Sequence, residues 1–433
     1  MRSTARFALC FAASFGGYSE AALAQDASKT AIPTATTSAA ATQSDETDEA
    51  LEPIGARIGS FILYPKVEGG LSYNDNIYAI DTKTDDWIAR ISPSLSLEGD
   101  FGTATTAIRA GLDRQEYFNH GTESRTDWNA GANTQVEVSR GSLLYAAGGF
   151  SRLHEDRGDP NASYTNRTPT KYDQSEVGGG FSTSATRLRL GLDASYRYYN
   201  YYDNVQVGGA PVNNDDRDRS VTRVSGRLGY EFSPGYALLG RLNYEKIDYR
   251  FDVDDAGFDR NSEGYRATLG VNFELSRVLE GEIWGGYLHR SYDDAQFADY
   301  GHGIFGSRLT WYPTQLTKVR FNVDRNVLET VFPGYQGFLS TSFALGVEHE
   351  LLRTVNLSIE GRYAADEYIR AIGTTAPQRT DKNYGFNANL KYQLNRNIYT
   401  RFAYDWTKRS TNVALPGLEY NRNQVTATLG LQL

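Results

Sequence analysis

The sequence predicts an all-β fold, a transmembrane antiparallel β-barrel of about 18 strands (16–18) over residues 62–433. Three observations carry this. Apolar and polar residues alternate with a period of two in segment after segment. The connections between these segments alternate between short and long. No stretch reaches the eighteen or so apolar residues that a membrane helix requires, and no boundary beyond residue 60 divides so long a chain into separate cores.

The first element is a leader. Met1-Arg2-Ser3-Thr4-Ala5-Arg6 supplies two positive charges, Phe7 to Phe15 a short apolar core, and Ala22-Leu23-Ala24 a small-residue exit. This is the pattern of a secretory signal peptide over residues 1–24, with cleavage before Gln25. Cys10 sits in this leader behind Leu9, where a lipoprotein signal needs a small residue. Cleavage would remove the single cysteine, and with it disulfides, thiolate metal sites and a thiol nucleophile. It would also take Arg2, Arg6 and Glu20, turning a net charge of −9 into −10. Such a balance argues against nucleic acid as a partner.

Residues 25–61 are rich in Ala, Thr, Ser, Asp and Glu and bury too little apolar area to offset chain entropy. They predict a structureless periplasmic segment, too short to fold into a barrel-filling plug.

The strands are read from their alternation. In Arg187–Tyr202, Leu188, Leu190, Leu192, Ala194, Tyr196 and Tyr198 take one face, and Arg187, Arg189, Asp193 and Arg197 the other. In Tyr265–Leu275, Ala267, Leu269, Val271 and Phe273 oppose Arg266, Thr268, Asn272 and Glu274. Val224, Leu228 and Tyr230 oppose Arg223, Arg227 and Glu231; Val319, Phe321 and Val323 oppose Arg320 and Asp324. Leu357 and Ile359 oppose Glu360 and Arg362, and Phe386 and Leu390 oppose Lys391. Any half-buried sheet alternates. Aromatic rings near the strand ends and ionised groups on the opposite face are what favour lipid outside and water inside.

The resulting lumen-facing set comprises Arg109, Asp113, Arg187, Arg189, Asp193, Arg197, Arg223, Arg227, Glu231, Arg241, Arg266, Glu274, Glu282, Arg320, Asp324, Glu348, Glu360, Arg362, Lys391, Arg401 and Asp405. Two roles stay open for it: cross-strand pairs that brace the wall, or guanidinium groups that bind anions along a path. The tyrosines of Tyr196–Tyr202 suit either a membrane-interface girdle or stacking on sugar rings.

Eight short and nine long connections are counted. The long ones lie near residues 75–85, 119–125, 157–170, 204–218, 252–261, 293–299, 332–337, 371–380 and 412–420, and belong outside the cell. Whether 157–170 or 204–218 folds into the lumen is open. Residues 252–263 superficially follow a calcium loop, but Ala256 takes a ligand position and no helix flanks it. His120, His154, His289, His302 and His349 have no metal-ligand spacing, no serine stands out as a nucleophile, and no cofactor is called for. Val425–Leu433 alternates to its last residue, like the insertion signal that the barrel-assembly machinery reads, with Leu433 where an aromatic is usual.

Val67-Glu68-Gly69-Gly70-Leu71-Ser72-Tyr73-Asn74-Asp75-Asn76-Ile77-Tyr78, followed by Asp85-Asp86-Trp87 and Ser92-Pro93-Ser94-Leu95, resembles the opening of the putative β-barrel porin 2 family. Tyr420–Val425 is similar to that family's closing strand. The resemblance implies a Gram-negative outer-membrane channel for hydrophilic cargo, often linked to exopolysaccharide export. The export link adds periplasmic export components as expected partners. From the residues themselves, the acidic loops at 252–263 and at Asp215, Asp216 and Asp218 are candidates to bridge divalent cations to lipopolysaccharide, and no catalytic constellation predicts an enzyme. A diffusion porin for small solutes and a structural or adhesive surface barrel are the alternatives.

Overall fold

In the computed structural model the described residues are 51–433 apart from Arg277. The leader and most of the polar segment therefore lie outside the described residues, as does the Arg277 half of one predicted turn.

Eighteen strands form the wall. The first six are β1 (Phe61–Asn74), β2 (Asp86–Asp100), β3 (Ala104–Tyr117), β4 (Arg125–Ser139), β5 (Ser142–His154) and β6 (Lys171–Ala185). Then come β7 (Leu188–Tyr201), β8 (Arg219–Ser233), β9 (Tyr236–Tyr249), β10 (Ser262–Ser276), β11 (Leu279–Tyr292) and β12 (Tyr300–Thr314). The last are β13 (Thr317–Leu328), β14 (Tyr335–Leu352), β15 (Val355–Arg370), β16 (Thr380–Asn395), β17 (Ile398–Thr411) and β18 (Tyr420–Gln432). Each pairs antiparallel with its neighbours in sequence, and β18 pairs with β1 from Lys66↔Gln432 to Asn74↔Gln424. Closure leaves no strand edge, the condition for crossing lipid as a sheet.

The short connections all fall on the side that holds both strand termini, which is the periplasmic side of such barrels. Gly141 and Gly235 take positive φ there, 77° and 81°, and the register shifts beside them, at Glu137/Ser139 and Glu231/Ser233, mark bulges that tighten the turns. The predicted long connections are reproduced within about three residues, so the counted pattern stands. One stretch departs from expectation. Ala56–Ile58 folds back on Phe61–Leu63 as an extra short strand, because Gly59 at φ 62° turns the chain and β1 offers free backbone groups. Composition cannot register that local pairing.

The outward face is a continuous apolar band. Leu192, Leu242, Leu269 and Phe402 are more than half exposed, in company with many other Leu, Ile and Val side chains. A large apolar side chain left in water forfeits roughly 1.5–3 kcal/mol, so a band of this extent holds together only against hydrocarbon. Its outer limit is a ring of aromatics, including Tyr73 against Trp87 and the row Phe343, Tyr363, Tyr384. Buried apolar clusters are confined to the outer rim. Tyr292, Phe297, Tyr300, Ile304, Val327 and Leu339 form one of them, and Tyr335, Phe338 and Tyr368 another.

Candidate functional site

Alternation puts a polar face inside. On β7, Arg189, Asp193 and Arg197 point opposite to the exposed Leu188, Leu190 and Leu192. Most of the predicted lumen residues meet a partner across the ladder. Arg189 binds Glu231 at 2.9 Å, Arg227 binds Asp193 at 2.8 Å and Arg197 binds Glu176 at 3.0 Å. Arg223 pairs with Glu245, and Arg241 with Glu282. Arg109 reaches Glu98 at 3.1 Å, and Asp113 receives Arg90 at 2.6 Å. Arg266 donates to Asn326, while Asp324 feels both Arg266 and Arg308. Arg320 pairs with Glu348, Arg362 with Glu360, and Arg401 with Glu68 at 3.5 Å. Asp405 accepts from Asn387 at 2.6 Å, and the Lys391 ammonium lies 4.9 Å from the Tyr399 ring centre.

Two predicted residues stand elsewhere. Arg187 is not on a strand: it forms the two-residue turn with Thr186 and is exposed, since β7 begins one residue later than the alternation suggests. Glu274 lies exposed two residues before the periplasmic end of its strand, opposite Glu280. The acceptors Glu68, Glu98, Glu176 and Glu245 and the donor Arg90 were missed, although the parity of their own strands points to them. Tyr196 faces lipid, while Tyr199 and Tyr201 turn inward onto Arg219, its guanidinium carbon 4.7 and 5.7 Å from their ring centres.

The connection between β5 and β6, residues 155–170, reaches across the outer end of the lumen. Arg157 is buried in a bidentate pair with Glu123, at 2.6 and 2.9 Å, and donates 2.9 Å to the Asn166 carbonyl. Glu155 pairs with Arg217 from the next long loop. Asp156 binds Arg422 of β18 at 2.9 Å, and the Gly158 carbonyl accepts from Arg409 of β17. A Cβ at Gly158 would come within 2.7 Å of the Tyr420 hydroxyl, so glycine lets the backbone sit against the wall. Further on, Asn161 Oδ1 accepts from the Thr330 hydroxyl at 3.1 Å and the Val331 N–H at 3.2 Å. Thr330 and Val331 belong to the β13–β14 connection, eight strands from β5–β6 in a ring of eighteen. The loop therefore spans to nearly the opposite wall. Arg260 from the β9–β10 loop braces the same point through the Thr330 carbonyl, at 2.9 Å.

The loop's carboxylates differ in charge preference. Burial works against ionisation of Asp156, but Arg422, Arg125 and the Gly158 N–H outweigh it and hold the carboxyl far below the usual range. At Asp159, burial and the nearby charge of Glu155 push the pKa up to about 7. The segment that superficially follows a calcium loop folds as a turn closed on itself. Asp254 takes N–H groups of Ala256 and Phe258 and an ion pair from Arg260, a closed turn. Among the described residues no group of three His, Cys, Asp or Glu is placed to hold a metal.

A closed barrel with a lipid-matched exterior and an ionic interior is a transmembrane pore-type protein. The chain belongs to the putative beta-barrel porin 2 family, whose model matches residues 49–433. It is accordingly an outer-membrane protein of a Gram-negative bacterium. Solved structures similar to it include OpdL from Pseudomonas aeruginosa, at 12% identity and TM-score 0.44, covering 87% of this chain and 100% of that one. OpdO from the same organism has 13% identity and TM-score 0.45, covering 87% and 98%. The siderophore receptor PirA from Acinetobacter baumannii has 7% identity and TM-score 0.46, covering 85% and 80%. No curated protein matches the chain by sequence.

Proposed function

We propose that the barrel conducts a hydrophilic polymer, an exopolysaccharide, from the periplasm to the cell surface. The observation that supports this is the asymmetry of the lumen, whose ion pairs are half-exposed towards the periplasm and buried under hydrogen-bonded loops at the outer end. A chain supplied by periplasmic export components would enter through the periplasmic end and displace the loops on leaving. The paired charges favour the same cargo. An arginine matched by a carboxylate presents polar hydrogen-bonding groups without a strong one-signed field, which suits a long sugar chain that must slide rather than stick. Inward tyrosines near the exit, among them Tyr199 and Tyr201, offer ring faces for sugars. No catalytic role is assigned to any residue.

Delivery would follow the expected route: cleavage of residues 1–24, then insertion by the barrel-assembly machinery reading the terminal strand Val425–Leu433. Deletion of the gene should abolish surface polysaccharide while leaving the periplasmic polymer trapped. A deletion strain that secretes normally would overturn the proposal. The inserted loop also fits a diffusion porin for small solutes, and rapid swelling of reconstituted liposomes in small sugars would favour that reading instead.

A further inference from the structure

We infer that Arg219, at the outer end of the lumen, binds the carboxylate of an acidic sugar unit; this rests on the reading of the barrel as a polysaccharide conduit and names the chemistry of its cargo. Arg219 opens β8 and shares the inward parity of Arg223 and Arg227. They stand in a row on one strand, yet their surroundings differ. Arg223 lies opposite Glu245 and pairs with it, and Arg227 pairs with Asp193 at 2.8 Å. Arg219 lies opposite Tyr249 on β9 and Tyr199 on β7. Its guanidinium carbon is 5.8 and 4.7 Å from their ring centres, and 5.7 Å from that of Tyr201. It forms no ion pair among the described residues. The matching of arginine to carboxylate seen further along β8 fails at this position.

The carboxylates nearby are held by other cations. Glu155 is bound by Arg217, Glu176 by Arg197 at 3.0 Å, and Glu245 by Arg223 and Arg290. Glu329, whose charge Arg219 does feel, is bound by Arg290 at 3.1 Å, and Asp218 by Arg250 at 3.1 Å. Asp159 and Asp216 bear on Arg217 instead. The polar neighbours of Arg219 itself are the Arg217 carbonyl, at 3.0 Å, and the Tyr201 hydroxyl. Stacking on tyrosine covers the flat face of a guanidinium and leaves N–H groups along its edge, the fork that receives a carboxylate in two parallel bonds. Tyr201, Tyr249 and Arg217 are buried, whereas Arg219 and Tyr199 keep part of their surface. A carboxylate carried on a pyranose uses both: the charge meets the guanidinium edge, and an apolar ring face lies against Tyr199. A single cation set among aromatic rings suits a singly charged sugar acid over a bare dianion such as phosphate. Arg409 of β17 also lacks a carboxylate, but it is buried against the Gly158 carbonyl and Asn383 and belongs to the seated loop.

The test is calorimetric titration of the full-length barrel in detergent with a galacturonic acid trimer, with the methyl ester of that trimer, which keeps the sugar and removes the charge, and with inorganic phosphate. The wild type should bind the acid about tenfold more tightly than either, a comparison that needs no variant. Arg219→Gln should weaken the acid about tenfold, through loss of a charge-assisted contact, and leave the ester unchanged. An unchanged heat-modified gel shift establishes that the variant has folded. Equal binding of acid and ester, equal binding of phosphate, or an unchanged affinity in Arg219→Gln would each overturn the inference while leaving export of a neutral polymer standing. Normal secretion by the deletion strain would instead sink the export reading and leave a measured binding site in place.

Discussion

The two ends of the lumen are built from the same residue types and behave as different materials. Near the periplasm, Arg320 and Glu348 are each 44% exposed, and Arg362 and Glu360 38% and 39%. Near the outer mouth, Arg157 and Glu123 are 4% and 1% exposed, and Arg379 and Asp381 0% and 1%. Below, ion pairs stand in water and contribute little to stability. Above, loops exclude water, and the same pairing holds a closed structure in which any lost partner leaves a buried charge. One polar wall thus carries exposed ion pairs at one end and buried ones at the other, and the difference lies in what covers the residues.

This contrast can be broken at its strongest point first. Arg157→Ala leaves Glu123 buried without its cation and should cost roughly 3–5 kcal/mol. In planar bilayers the variant should show larger or longer openings than wild type, and an unchanged conductance would mean that the loop does not limit flow. Asn161→Ala removes two bonds to the opposite wall, about 1 kcal/mol each, and should raise proteolytic cleavage within 155–170 while leaving the barrel intact.

Asp159 sharpens the comparison through pH. Its carboxyl pKa is raised to about 7 in the seated loop, so the seated form binds the proton more tightly than free chain does. Seating is then most favoured below about pH 4 and weakens as pH rises through 7. Conductance should increase from pH 5 to pH 8, and Asp159→Asn should flatten the profile. Asp156, held low by Arg422, stays ionised over that window and contributes no slope.

The periplasmic end should respond weakly. Arg320→Ala should change stability by less than about 1 kcal/mol and move ion selectivity modestly toward cations, read as a reversal potential. Arg189→Glu, which breaks a pair with Glu231 on the wall, should shift selectivity further than Arg187→Glu in the exposed turn, where no change is expected. Equal shifts from the two would remove the distinction between wall and turn.

The wall was legible because a strand's parity is local. Leu188, Leu190 and Leu192 against Arg189, Asp193 and Arg197 need no tertiary knowledge, and neither does the count of turns. Arg187 escaped because a turn's last residue and a strand's first alternating residue look alike. The gate was illegible for a different reason. Asn161 meets Thr330 across 169 positions, and Asp156 meets Arg422 across 266, with no periodicity to announce either contact.

What the amino-acid order determined by itself was which face of each strand meets lipid, because side chains alternate with a period of two and hydrocarbon accepts only one kind of face. Only the tertiary structure decided which charges pair and that the loop at 155–170 crosses the mouth. Pairing depends on register between neighbours and closure of the ring, and a polar loop has the same composition whether it points into water or is buried against the opposite wall.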